Sequence, residues 1–248
     1  MRRINGYFIT IFALTLVMGC NEEHQTVEVD RIATGTGELD ISFLGHGTLM
    51  FSVDDNILHI DPVARYADFT QLPKANLILI THSHGDHLDS NTVRLLENPD
   101  TRIVCPQTVA DILGRGTVME NGDTLTLAGM EIVAVPAYNL VHKRPDGQFY
   151  HPKGEGNGYV LTIGNQRIYV AGDTENIPEM AELGRIDIAF LPMNLPYTMS
   201  PEMVVDAVKM VKPAVLYPYH YGDTNVEDLL KLIKVEAPGI EVRVRRLQ

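Results

Sequence analysis

Cysteine is scarce in this chain, with only Cys20 and Cys105 among 248 residues, which excludes a framework of several disulfides. Positive charge is scarce too. Twenty Lys and Arg face 32 Asp and Glu, the net charge is −12, and the basic residues form no block, which argues against a nucleic-acid partner. Apolar runs of the ~20 residues that span a bilayer are missing as well. The N-terminal run from Tyr7 to Met18, behind Arg2 and Arg3, instead fits the roughly 7–15 residues of a signal-peptide core.

That run ends Leu16-Val17-Met18-Gly19-Cys20, which resembles a bacterial lipobox. The expectation is a lipoprotein signal peptide over residues 1–19, lipid on Cys20, and export to the bacterial cell envelope with membrane anchoring through that lipid. The segment carries two Arg and no acid, so its loss takes the net charge from −12 to −14. Cys105 is then left without a disulfide partner, and stability must come from packing and bound metal. Residues 20–38 are polar and without apolar periodicity, as expected of a flexible tether, and residues 39–248 suffice for one domain.

Within that domain, Leu39–Leu44, Thr48–Val53 and Ile57–Ile60 are β-rich runs separated by turn compositions, which predicts an antiparallel meander. The continuous apolar run Leu77–Ile80 predicts a strand covered on both faces, and Asp89–Glu97 has helical spacing. Further strands are expected at Arg102–Cys105, Thr124–Leu127, Met130–Val135, Gly158–Ile163, Arg167–Ala171, Ile186–Leu191, Ala214–Tyr217 and Ile240–Val244. Further helices are expected at Thr108–Leu113, Ile177–Leu183, Pro201–Val211 and Val226–Val235. Strands lead each half with helices behind them, which suits an α/β fold of four layers, two packed sheets with helices outside.

The strongest chemical signal follows the buried strand: Thr81-His82-Ser83-His84-Gly85-Asp86-His87. In an extended segment His82 and His84 point the same way, while Gly85 permits a turn that carries Asp86 and His87 to a second position. Imidazole and carboxylate are ligands that zinc and similar ions prefer, so one loop can serve two metals. Asn194, in the loop after a strand, is a candidate lining residue.

This His-x-His-x-Asp-His cluster after a strand resembles that of the metallo-β-lactamase superfamily, and the resemblance runs from about Leu39 to the end. It implies a four-layer αβ/βα sandwich with metals between the two sheets. Ala171-Gly172-Asp173-Thr174 resembles the segment carrying the superfamily's bridging Asp, and Tyr219-His220-Tyr221-Gly222 resembles that of its final His. The resemblance therefore implies two divalent ions, Zn2+ by default with Mn2+ or Fe as alternatives. One would be held by His82, His84 and a third His, the other by Asp86, His87 and His220, with Asp173 between them. The third His departs from the common pattern because Asn139 follows Val135-Pro136-Ala137-Tyr138. His151, in a His-Pro segment similar to that of a hydrolase subgroup, is favoured; His142 is the alternative, with Asn139 or water if neither serves. Asp61 is placed like the superfamily's carboxylate that orients a ligand His. His46, in Gly45-His46-Gly47, resembles a His near the metals of lactonase-like members and is a candidate for substrate contact.

The expected function is a metal-dependent hydrolase. A hydroxide held by two metals would attack an ester, lactone or phosphodiester of a small-molecule or lipid-like substrate, with Asp86 and Asp173 as catalytic carboxylates. A non-catalytic metal-binding lipoprotein and a di-iron oxidoreductase are the alternative classes; the second would call for an added flavin domain that this length does not accommodate.

Overall fold

The structure, a computed structural model, describes residues 27–35 and 37–248. The expected signal peptide and Cys20 lie outside the described residues. Part of the segment expected as a flexible tether, residues 20–38, is strand instead. Glu28–Ala33 form a strand, β1, paired antiparallel with β2 (Glu38–Gly45).

β2, β3 (Thr48–Val53) and β4 (Asn56–Ile60) form the expected meander. β5 (Leu77–Leu79), β6 (Arg102–Cys105) and β7 (Thr117–Val118) then continue the sheet in parallel. The second sheet repeats this plan. β8 (Thr124–Leu127), β9 (Met130–Ala137), β10 (Gly156–Ile163) and β11 (Gln166–Val170) are antiparallel. β12 (Ile188–Pro192), β13 (Val215–Tyr219) and β14 (Glu241–Val242) follow in parallel.

The two sheets pack face to face. Phe43 of β2 lies 5.1 Å from the ring of Tyr217 of β13, and Phe51 of β3 lies 6.1 Å from Phe190 of β12. β5 shows why its run is apolar throughout: Leu77 and Leu79 join this inter-sheet core, while Ile78 and Ile80 face the opposite side. There they meet Val93 and Leu96 of α1 (Ser90–Leu96) and Val109 of α2 (Gln107–Leu113). On the second sheet α3 (Pro201–Val211) buries Val204, Val205, Val208 and Val211, and α4 (Val226–Glu236) buries Leu229 and Ile233. The architecture is the expected α/β sandwich of four layers.

Helix starts follow from capping. The Asp89 carboxylate accepts from the backbone N–H groups of Asn91 and Thr92, and the Ser200 hydroxyl accepts from that of Met203 ahead of Pro201. The expected helix at Ile177–Leu183 is a 3-10 turn, Pro178–Glu182. Among the described residues no helix is long and apolar enough to cross a membrane.

β1 is held by ionic contacts as well as by its ladder. Asp30 accepts from Arg245 Nε at 3.0 Å and Nη2 at 2.8 Å, and from the Tyr217 hydroxyl at 2.5 Å. Burial raises the Asp30 pKa, but the Tyr217 and Arg245 hydrogen bonds outweigh it and hold the carboxyl below its ordinary value. A depressed folded pKa stabilises above the ordinary carboxylate value and loses that contribution as pH falls. Asp30→Asn is therefore expected to cost about 1–2 kcal/mol in urea unfolding at pH 7. The deficit should shrink toward zero as pH falls below ~4.

Candidate metal centre

The site lies at the carboxyl ends of β4, β5, β11 and β13, where this architecture presents side chains. Below it the sheets are tied by the Tyr159 hydroxyl donating to the Ile80 carbonyl at 2.9 Å and by Asn157 N–H donating to the Thr81 carbonyl at 2.8 Å. Two positions require glycine. A Cβ on Gly47 would stand 2.6 Å from His87 Cε1, and Gly172, at φ +65°, turns the chain so that Asp173 faces inward.

Two groups of side chains converge, each with its donor atoms within 4.8 Å of one another: His82, His84, His151 and Asp173, and His46, Asp86, His87 and His220. In the first, His84 Nδ1 is 3.1 Å from His82 Nε2 and 3.2 Å from His151 Nε2, and His151 Nε2 is 3.2 Å from Asp173 Oδ2. In the second, Asp86 Oδ2 is 3.2 Å from His46 Nε2 and 3.5 Å from His220 Nε2. Asp173 stands between the groups, with Oδ1 3.4 Å from His87 Nε2 and Oδ2 3.3 Å from His220 Nε2.

A tetrahedral zinc with bonds of about 2.0–2.2 Å sets its donors about 3.3–3.6 Å apart, close to these spacings. The orphaned atoms point the same way. His87 Nε2, His220 Nε2 and Asp173 Oδ1 are buried without a hydrogen-bond partner, which is costly unless something binds them. The residues present therefore fit a pair of cations.

Neighbours fix which ring nitrogens face inward. Asp61, fully buried and at φ +46°, accepts from Thr81 N–H at 2.7 Å, the Thr81 hydroxyl at 2.6 Å and His87 Nδ1 at 2.8 Å. With the proton on His87 Nδ1, the Nε2 lone pair faces the centre. Thr81 Oγ1, already donating to Asp61, can accept from His82 Nδ1 at 3.0 Å. Asn139 Oδ1 accepts from His151 Nδ1 at 2.8 Å, and the Asn139 amide is oriented by donating to Glu175 Oε1 and the Tyr197 carbonyl.

Burial pushes the His84 pKa down to about 4, aided by His151 nearby, and pushes His82 well below its ordinary value. Burial opposes charge on His87 too, but Asp173 and Asp61 outweigh it and push that pKa up to about 9. Burial likewise opposes ionisation of Asp173, yet His220 and His87 hold its carboxyl well below the usual range. Burial thus keeps His82 and His84 neutral, each with a ring lone pair available, while the carboxylates of Asp61 and Asp173 favour positive charge beside His87.

The structure brings together His82, His84, Asp86, His87, His151, Asp173 and His220, places Asp61 behind His87, and puts Asn194 in the cleft wall. His142 is not among them: its Nδ1 lies 2.6 Å from Glu175 Oε1, and Glu175 also accepts from the backbone N–H groups of Leu140, Val141 and His142. Asn139 supports His151 and so is not a substitute donor. His46 is drawn in further than expected, its ring stacked on Tyr66 at 4.9 Å and its side chain 11% exposed. Sequence reading missed Glu175, whose one signal is its place two residues after Asp173.

The sequence pattern of the beta-lactamase superfamily domain matches residues 40–220, most of the chain. This chain belongs to that superfamily. A UPF0173 metal-dependent hydrolase of Thermococcus onnurineus is 35% identical over 219 residues, covering 81% of this chain and 94% of that protein. A Parabacteroides distasonis protein assigned as a metal-dependent hydrolase superposes with a TM-score of 0.86 at 48% identity, covering 90% of this chain and all of that one. Igni18, a metallo hydrolase of Ignicoccus hospitalis, shares the fold at a TM-score of 0.70 and 24% identity, over 84% of this chain and 95% of that one. The superfamily member described here is a metal-dependent hydrolase with two candidate His and Asp metal sites.

Proposed function

We propose that this protein hydrolyses an ester, lactone or phosphodiester bond of a small-molecule or lipid-like substrate with the help of two divalent cations. One would be held by His82, His84 and His151 and the other by Asp86, His87, His220 and His46, with Asp173 serving both. The observation that carries the reading is the convergence of the buried, unpartnered His87 Nε2, His220 Nε2 and Asp173 Oδ1 beside an open cleft of about 820 Å3. An imidazole-rich donor set favours zinc, with manganese or iron as alternatives.

Bound there, the cations would supply water of lowered pKa, near 7, and would polarise a carbonyl or phosphoryl oxygen. The chain's own residues do the rest. Asp61, Thr81 and Asn139 hold His87, His82 and His151 in the orientation that turns Nε2 inward. Asp173, 4% exposed and lying between the two groups, is placed to orient the attacking water as well as to hold both cations. Asp86, 36% exposed at its side chain, turns Oδ2 to His46 and His220 and leaves Oδ1 as the oxygen through which a proton could pass toward solvent. The lipobox resemblance supports anchoring through lipid on Cys20, so the cleft would work at the surface of a bacterial envelope membrane.

The test is turnover by protein loaded with zinc or manganese on three probes: an aryl ester, a γ-lactone and bis(4-nitrophenyl) phosphate. Hydrolysis of at least one, abolished by chelation and restored by the metal, is the expected result. Inertness toward all three at full metal loading contradicts the reading.

A further inference from the structure

Arg144 stands at the mouth of the cleft, on the loop between β9 and β10. Among the described residues that line the cleft it alone carries a fixed positive charge, while Asp86, Asp146 and Asp173 are acidic. Its backbone is fixed in a short hairpin: Arg144 N–H donates to the Gln148 carbonyl at 2.7 Å, and Gly147 N–H returns to the Arg144 carbonyl at 2.9 Å. Its Nη2 donates to the Tyr150 carbonyl at 3.1 Å and lies 3.1 Å from His84 Nε2.

That last contact has two forms. His84 turns Nδ1, not Nε2, toward His82 and His151. A His84 that offers its Nδ1 lone pair to a cation carries its ring proton on Nε2. A guanidinium has donors only, so in that state Arg144 and His84 meet donor to donor. An anionic oxygen seated against both N–H groups resolves the conflict and satisfies each. This seat is one imidazole width from the converging donors, so the anion it takes is not the bond being cut. The adjoining wall is Tyr150 and Tyr197, whose rings meet edge to face at 5.0 Å and offer an apolar surface.

We propose that Arg144 Nη2 and His84 Nε2 form an anion subsite that selects substrates carrying a carboxylate or phosphate group set apart from the scissile bond. The inference rests on the hydrolase reading for its meaning, but its test does not require turnover.

Calorimetric titration of metal-loaded protein with glutarate and, separately, methylphosphonate should show binding of at least one. Affinity should fall roughly 10- to 100-fold in Arg144→Gln and less in Arg144→Lys, which keeps the charge without the fork. Lys143→Gln, the neighbouring cation seated over the Phe149 ring, should not change it. In parallel, the kcat/KM ratio of mono(4-nitrophenyl) glutarate to 4-nitrophenyl butyrate should fall at least about ten-fold in Arg144→Gln. Hydrolysis of both esters with anion affinity unchanged in Arg144→Gln overturns the subsite and leaves the hydrolase standing. Arg144-dependent anion binding with neither ester cleaved supports the subsite and counts against the hydrolase. The tighter of the two anions names the group.

Discussion

Asp173→Ala is expected to yield folded protein with reduced metal content and turnover lower by roughly 10^3-fold or more, read by elemental analysis and steady-state kinetics. The magnitude follows from position. Asp173 lies within 3.8 Å of His82, His151, His87 and His220. Removing it deletes a donor for both groups and the carboxylate that offsets positive charge between them. Folding should survive, because His87 keeps its hydrogen bond to Asp61 and, once Asp173 is gone, can give up its second proton and avoid standing as an unpaired buried charge. Asp173→Asn, with the shape kept and the charge gone, should lose turnover nearly as far while retaining more metal.

The second large effect is expected at Asp61, which touches neither cleft nor substrate. In Asp61→Asn an amide NH2 would take the place of the oxygen that accepts from His87 Nδ1 and the Thr81 hydroxyl. His87 Nδ1 would then have to accept, its proton would move to Nε2, and the lone pair facing the centre would be lost. Metal affinity should fall about 10- to 100-fold at the group containing His87, measured by competition with a chromophoric chelator. A purely structural role would lower the melting temperature of metal-free protein without weakening metal binding. The prediction is a metal-affinity loss larger than any loss of stability.

Both arguments rest on features of unequal legibility in the sequence. The buried strand at Leu77–Leu79 and the cluster His82 to His87 were readable because a continuous apolar run and closely spaced ligands are both local signals. Asp173 and His220 were readable only through resemblance, since a lone Asp or His after a strand is otherwise an ordinary turn or core residue. The choice between His151 and His142 was not local at all. The structure sets His142 apart through Glu175, 33 residues beyond it, which takes His142 and the adjoining backbone N–H groups, and places His151 beside His84 with its Nδ1 held by Asn139.

β1 shows the same limit in the fold. Glu28–Ala33 reads as tether because the surrounding stretch is polar and without apolar periodicity, and its partners Tyr217 and Arg245 lie at the far end of the chain. The 3-10 turn at Pro178–Glu182 reads as an α-helix because its apolar spacing fits either form over so short a span. His46 needed the fold as well: a His between two glycines reads as exposed until β2 and β13 bring it beside His220, whose backbone N–H donates to the His46 carbonyl at 3.2 Å.

The most direct test of a two-cation centre completed by His151 is metal stoichiometry in the full chain, in wild type, His151→Ala and His142→Ala prepared side by side with zinc. The account predicts about two metals per chain in wild type and in His142→Ala, and about one in His151→Ala. Two metals retained in His151→Ala with a loss in His142→Ala, or fewer than one in wild type under zinc-replete conditions, would contradict it.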